Sequence, residues 1–386
     1  MVELKDFKLV YGGTTLYFGS DSTEKIREHI AGKKRALIVT GRRSARESGA
    51  LKDVESVLED LKIERKIFDR VSFNPTVEIV EEIVEELKSF SPDFIVAIGG
   101  GSVIDSAKLA SAAYAESRNP ADYIKGRAKA QKHLFLVAVN LTHGTGTEID
   151  RYAVATISQT KEKLGTIVAY PDVSVDNPKY LLTLSRNQTI FTSLDALYHA
   201  LESSISSSSN ALVIDLSRAA VEKIFSYLGK AVSNPRDIES RYMLLYSSML
   251  AGIAIDLAGT SIIHGLEHGL SGVEPGLEHG AGLAIIGPTL MKVLYRVRTE
   301  EAYAVMRIID PELRPLAEDA ERAGESLARF QESVGFNLSL ADYGFDEKKL
   351  REAIEVSWPL FNGRLIPGVL EMGKEQIFSL LRPLLK

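Results

Sequence analysis

Four of the seven histidines lie in the second half of the 386-residue chain, and they come with spacings that matter chemically. Asp195 and His199 are four apart in LDALYHALE, so on a helix both leave one face. His264 and His268 repeat that spacing in HGLEHG, and His279 follows a glycine-rich segment. One carboxylate and three neutral imidazoles suit a divalent transition metal with one position left open for a substrate oxygen. The same spacings also describe satisfied core or surface histidines, and the pattern alone leaves both readings open. The remaining His29, His133 and His143 show no comparable arrangement. With no cysteine in the chain, thiolate metal sites, a disulfide framework and a Cys nucleophile are excluded. A metal would therefore rest on His and carboxylate.

Two turns in the first half carry a second kind of chemistry. In FIVAIGGGSVIDSAK, residues 94–108, an apolar run enters Gly99-Gly100-Gly101-Ser102 and a helix follows. Such a turn lets the backbone approach a pyrophosphate, and the helix start presents free N–H groups and a positive dipole end. It matches neither G-x-G-x-x-G nor a Walker loop, and a tight turn that simply needs glycine is the alternative. After ALIVT comes Gly41-Arg42-Arg43-Ser44. An acid at such a turn accepts the ribose 2′-OH of NAD, whereas basic residues accommodate the 2′-phosphate of NADP. Here there is no acid, and the alternative is a solvated basic turn.

These groups need elements to position them. Residues 36–40, 94–98 and 134–139 read as buried strands, and VESVLEDLKIERKI and VEIVEEIVEELKSF between the first two repeat apolar positions at helical spacing. Continuous apolar strands alternating with amphipathic helices predict a parallel sheet covered on both faces. FKLVYGGTTLYFGS predicts a hairpin with a Gly-Gly turn. Beyond about residue 183 the pattern becomes long helices, among them SLDALYHALESSI and a run from Asp237 to Leu257 behind Asn234-Pro235. The composition, 45% hydrophobic and 25% charged, excludes a disordered or fibrous chain. A net charge of −6 argues against nucleic acid or an anionic membrane as partner. The amino end lacks the features of a signal sequence, and the stretch Tyr242 to Ile255 is too short to span a bilayer, so the expected location is cytoplasmic.

Taken together, GGGSVIDSAK, SLDALYHALES and HGLEHGLSGVEPGLEHGAG resemble the iron-containing (group III) alcohol dehydrogenases, in order and spacing, over about residues 10–290. The resemblance implies an N-terminal α/β nucleotide-binding domain with a Rossmann-like parallel sheet, 1–183, and an all-α metal-binding domain, 184–386, with the active site between them. It implies Asp195, His199, His264 and His279 as metal ligands and His268 as a proton-relaying residue at the substrate. Gly100, Gly101 and Ser102 would hold the pyrophosphate, with Asp105 nearby. Asn74, Thr142, Thr145 and Lys163 would contact the cofactor. Members that use NAD often carry Asp where Gly41 stands, so Gly41 and Ser44, with Arg42 and Arg43, imply NADP(H) rather than NAD. The ion would be Fe²⁺, with Zn²⁺ the other option.

The implied reaction interconverts a primary alcohol or small diol and its aldehyde, in a homodimer or larger assembly, with the N-terminal hairpin a candidate contact. A zinc-dependent, NAD-linked polyol dehydrogenase of the glycerol dehydrogenase kind is the alternative, ahead of a dehydroquinate synthase-like lyase or a non-catalytic nucleotide sensor. The chain departs from the family at Asn140, Leu141 and His143, where Pro, Thr and Ala are usual. Asp150-Arg151 is unusual as well. Glu278 replaces a Pro just before the last ligand, in a loop one residue longer than usual.

Overall fold

A computed structural model describes residues 4–361, 364–366 and 370–386. By its contacts the chain falls into two compact units. The first takes residues up to Ser158, Leu164–Ser185 and Pro235–Leu245; the second takes Gln159–Lys163, Arg186–Asn234 and Tyr246 onward.

The first unit is built on a seven-stranded sheet of order β1-β2-β9-β6-β5-β3-β4. Its strands are β1 Phe7–Tyr11, β2 Thr14–Phe18, β3 Arg35–Thr40, β4 Glu64–Phe68, β5 Phe94–Gly99, β6 Leu136–Asn140 and β9 Val173–Asp176; β7 Tyr152–Ile157 and β8 Glu162–Ile167 form a separate two-stranded sheet. β1 and β2 are the antiparallel hairpin foreseen from the Gly-Gly turn, and every other pairing in the large sheet is parallel. The central strands are apolar on both sides because both faces are covered: Leu37 and Val39 enter one core, Ala36 and Ile38 the other. Helices α1 Ala50–Asp60, α2 Val77–Phe90 and α3 Gly101–Glu116 cover these faces.

One expected helix ends early. VESVLEDLKIERKI is helical only to Asp60; Lys62 takes φ +56°, and Glu64–Phe68 becomes β4, paired with β3 at the sheet edge. Ile63 and Ile67, four apart, continued the helical spacing of apolar residues, but the charged Glu64, Arg65 and Lys66 between them suit an edge strand, which uses charge to avoid pairing with a further chain.

The second unit is mainly helical, and its one departure from the expected all-α pattern among its described residues beyond 184 is a short antiparallel pair, Arg364–Ile366 with Leu370–Glu371. α4 Arg186–Ile205 packs on α5 Ala211–Ser233 and on α8 His279–Val297. α6 spans Ile238–Ala258, its residues to Leu245 belonging to the first unit and the rest to the second; α7 Ile262–Val273 packs along α10 Glu347–Phe361, and α8 packs on α9 Ala320–Ser333. No single described helix is long and apolar enough to cross a membrane.

Candidate metal and active site

Three elements of the second unit converge on one oxygen. Asp195 and His199 lie a turn apart on α4, His264 sits on the first turn of α7, and His279 is the first residue of α8. The Nε2 atoms of His199, His264 and His279 each stand 3.6 Å from Asp195 Oδ1. Two donors bound about 2.1 Å from one divalent ion at near-tetrahedral angles are separated by about 3.5 Å, so this spacing suits a shared ion. Asp195 Oδ1 and His264 Nε2 are buried without a hydrogen-bond partner among the described residues. A buried polar atom left unpaired is costly, and a coordinated cation removes that cost. The residues present fit a divalent metal. Burial alone would raise the Asp195 carboxyl, but His199 and His279 hold it well below the usual carboxylate range.

Two carboxylates set the histidines from behind. Glu202, on α4, takes the Nδ1 hydrogen bond of His264 and also accepts from the backbone N–H groups of Ile263 at 2.7 Å and His264 at 3.1 Å. Glu267, on α7, takes the Nδ1 hydrogen bond of His279. Burial would raise Glu267, but His279 and Lys163 hold it down at about 2. With Nδ1 protonated and donating backwards, each ring presents its Nε2 lone pair forward, where a metal takes it. Neither glutamate was among the residues singled out from the sequence. Each is three residues after a histidine, Glu202 after His199 and Glu267 after His264, and that helical spacing was the available signal.

Lys163, the second residue of β8, belongs to this group. It is buried, donates to Ser271 Oγ at 3.0 Å, and lies 3.5 Å from Glu267 and 3.3 Å from His279 Nδ1. His268 is half-buried with its ring 5.5 Å from that of His279. Desolvation, Lys163 and His279 disfavour its imidazolium and push its pKa well below the ordinary value.

The remaining candidates lie in the first unit. β5 ends at Gly99, Gly100 caps α3, and α3 starts at Gly101. A Cβ on Gly100 would stand 2.7 Å from Thr142, and one on Gly101 2.5 Å from Thr145. The glycines are therefore what lets the Thr142–Thr145 loop close on the helix start, whose first N–H groups have no partner within the helix. Asp105 points into the protein: its carboxylate accepts from Thr147 Oγ1 at 2.6 Å and from the Val154 N–H at 3.0 Å, bracing the loop. Asn140 donates to Asp176 at 3.0 Å and accepts from the Thr142 N–H at 3.1 Å. Asp150 is buried and paired with Lys108 Nζ at 3.0 Å.

Gly41 follows β3, and a Cβ there would sit 3.1 Å from the Val71 carbonyl. Arg43 is committed to Glu47, 2.8 Å away, while Arg42 is exposed and Ser44 opens a short helical turn. Asn74 takes φ +49° just before the cap of α2.

The sequence profile of the iron-containing alcohol dehydrogenases matches residues 13–178, and that of the C-terminal part of the same family matches residues 189–384. The chain belongs to the iron-containing alcohol dehydrogenase family. It is thus an oxidoreductase, with the fold of that family. It is 34% identical over 361 residues to the long-chain primary alcohol dehydrogenase AdhA of Thermoanaerobacter ethanolicus, covering 92% of this chain and 90% of that one. An NADPH-dependent butanol dehydrogenase of Clostridium saccharobutylicum is 28% identical, with 88% of each chain covered. The solved structure of an NADH-dependent butanol dehydrogenase A from Thermotoga maritima superposes with a TM-score of 0.89 at 28% identity, over 98% of both chains. Both nicotinamide cofactors thus occur among relatives of this iron-containing alcohol dehydrogenase.

Proposed function

We propose that the protein interconverts a primary alcohol or small diol and its aldehyde, with NADP(H) as hydride carrier and a divalent ion held by Asp195, His199, His264 and His279, Fe²⁺ by preference. The observation that carries this reading is the set of three imidazole nitrogens 3.6 Å from one carboxylate oxygen. When bound, the ion supplies Lewis acidity to the substrate oxygen and the nicotinamide exchanges a hydride with the adjoining carbon. Asp195 contributes the single negative charge at the ion. Glu202 and Glu267 keep His264 and His279 in the tautomer that offers Nε2, and Lys163 holds Glu267 in place as well as reaching the cofactor. Neutral His268 takes the proton released on alcohol oxidation and returns it on aldehyde reduction.

On the cofactor side, the N–H groups at Gly100, Gly101 and Ser102 hold the pyrophosphate. Thr142, Thr145 and Asn74 line the same cleft. Gly41 leaves room for a 2′-phosphate that Arg42 and Ser44 receive. In this reading the enzyme is cytoplasmic and homodimeric or larger, with no nucleic acid or membrane partner.

The test is an assay of the metal-stripped protein with Fe²⁺, Zn²⁺ or buffer, with NADPH or NADH. Aldehydes run from short to long chains, because the AdhA relative is a long-chain enzyme by name, and a polyol panel is included. Metal-dependent oxidation of NADPH, with NADH much slower, is expected. Activity with NADH alone would remove the reading of Gly41 to Ser44, and zinc-dependent polyol oxidation with NAD would favour the glycerol dehydrogenase-like alternative. His264→Ala is expected to lose metal and turnover together, whereas His268→Ala keeps the metal and loses turnover; equal small effects would refute both roles.

A further inference from the structure

His279 is delivered by the loop between α7 and α8, and that loop is anchored at both ends to one neighbouring segment. Glu274 closes α7: its carbonyl accepts from the Leu277 N–H at 3.0 Å, one carboxylate oxygen accepts from the Gly276 N–H at 3.1 Å, and the other is paired with Lys349 Nζ. Glu278 opens α8: its carbonyl accepts from Ala281 and Gly282 at 3.0 Å, and its carboxylate accepts from the Tyr343 phenol at 3.0 Å. Lys349 Nζ also donates to the Tyr343 carbonyl at 3.3 Å, which closes a ring through Glu274, Lys349, Tyr343 and Glu278. The segment is itself fixed, since Phe345 is buried and Lys349 lies over its ring at 4.7 Å. Between the two glutamates, Pro275 and Gly276 are exposed and Leu277 is buried.

A ligand on the first residue of a helix depends on the loop before it. Inside a helix, hydrogen bonds on both sides fix a side chain's origin; at the first position only those that follow do. The family's usual proline before this ligand would fix φ covalently. Glu278 gives that up and supplies a side-chain tether instead.

We propose that the ring of Glu274, Lys349, Tyr343 and Glu278 is a latch that holds His279 in its metal-binding orientation and sets how slowly the ion leaves. The proposal rests on the metal site described above. These four are positioning residues: none points a donor at the ion, and they act through the backbone of residue 279.

The experiment loads wild type, Tyr343→Phe, Glu278→Ala and Lys349→Arg with Co²⁺. It records the visible d–d spectrum and the rate of Co²⁺ loss to excess chelator, with the melting temperature of each apo protein alongside. Tyr343→Phe and Glu278→Ala are expected to lose Co²⁺ about tenfold faster than wild type, with altered d–d bands, a size common for groups that orient a ligand. Lys349→Arg, which keeps the charge and donors, retains both properties. Unchanged rates and spectra in Tyr343→Phe and Glu278→Ala overturn the latch, as does a lowered apo melting temperature with Co²⁺ behaviour unaltered. A wild-type protein that takes up no Co²⁺ overturns the metal site itself, and the latch with it.

Discussion

A histidine offers a metal one nitrogen, and whatever holds the other decides whether the lone pair faces the ion. Here Glu202 and Glu267 do so for His264 and His279. The histidines and Asp195 stood out in the sequence because their residue types are few and their spacings repeat. The two glutamates carry the same helical spacing, but a Glu on a helix is ordinary, so nothing set them apart. Lys163 meets Glu267 across 104 residues, and no local pattern could place it there. His143 is a further case. It is buried with Nε2 3.4 Å from Arg241, and burial with that neighbouring charge pushes it down to about 3. Its folded value lies below the ordinary 6.5, so the unfolded chain binds a proton that the folded one refuses. Stability is therefore present above about pH 6.5 and is lost as pH falls toward 3. At pH 5 the loss from this one group is about 2 kcal/mol. Asp150 and Asp176, each raised by burial to about 7, work in the opposite sense, and both remain in a His143→Ala variant. Denaturant unfolding of the two proteins at pH 7 and pH 5 isolates the difference. The variant is expected to lose about 2 kcal/mol less than wild type over that interval, and equal losses would show that His143 is protonated in the folded state.

At the scale of elements, β3, β5 and β6 of the parallel sheet were legible because a strand buried on both faces is apolar throughout, whereas β9, equally buried, was missed because Ser174 and Asp176 interrupt its apolar run. β4 was missed as well, since an edge strand satisfies no such demand. The helices of the second unit were legible as helices, but not the contacts that aim them. Gly280 supplies one of these. A Cβ at this position would run into the Phe191 carbonyl, so the missing side chain lets the start of α8 rest on α4, four residues before Asp195. Backbone cannot step aside as a flexible side chain does. Gly280→Ala should therefore displace the start of α8 and destabilise the protein by about 1–3 kcal/mol. It should also weaken metal binding, because His279 is the adjoining residue. Isothermal titration of the apo variant with Zn²⁺, beside its unfolding curve, checks both. Wild-type affinity in a destabilised variant would mean that α8 accommodates the methyl group without moving its first turn.

At the scale of the molecule, the proposed metal and nucleotide chemistries fall in different units, apart from Lys163, which lies in the second and is proposed to serve both. Every proposed metal ligand, with Glu202, Glu267, His268 and Lys163, belongs to the second, whereas the glycine turn, Gly41 to Ser44 and Asn74 belong to the first. Ligand binding stabilises the part of a protein that it requires to be folded, by about 1.4 kcal/mol for each tenfold excess of free ligand over Kd. Zn²⁺ alone should therefore slow amide hydrogen exchange across α4, α7 and the first turns of α8, and leave the seven-stranded sheet unchanged. NADPH alone should do the converse, protecting the start of α3 and the loop from Asn140 to Thr147. Exchange measured by mass spectrometry on the apo protein, on each binary complex and on both together separates these footprints. Protection of α4 and α7 by NADPH without metal would show that the cofactor orders the metal ligands in advance, and that binding of the ion and of the nucleotide is cooperative; two footprints that simply add would show that each unit prepares its own half of the chemistry.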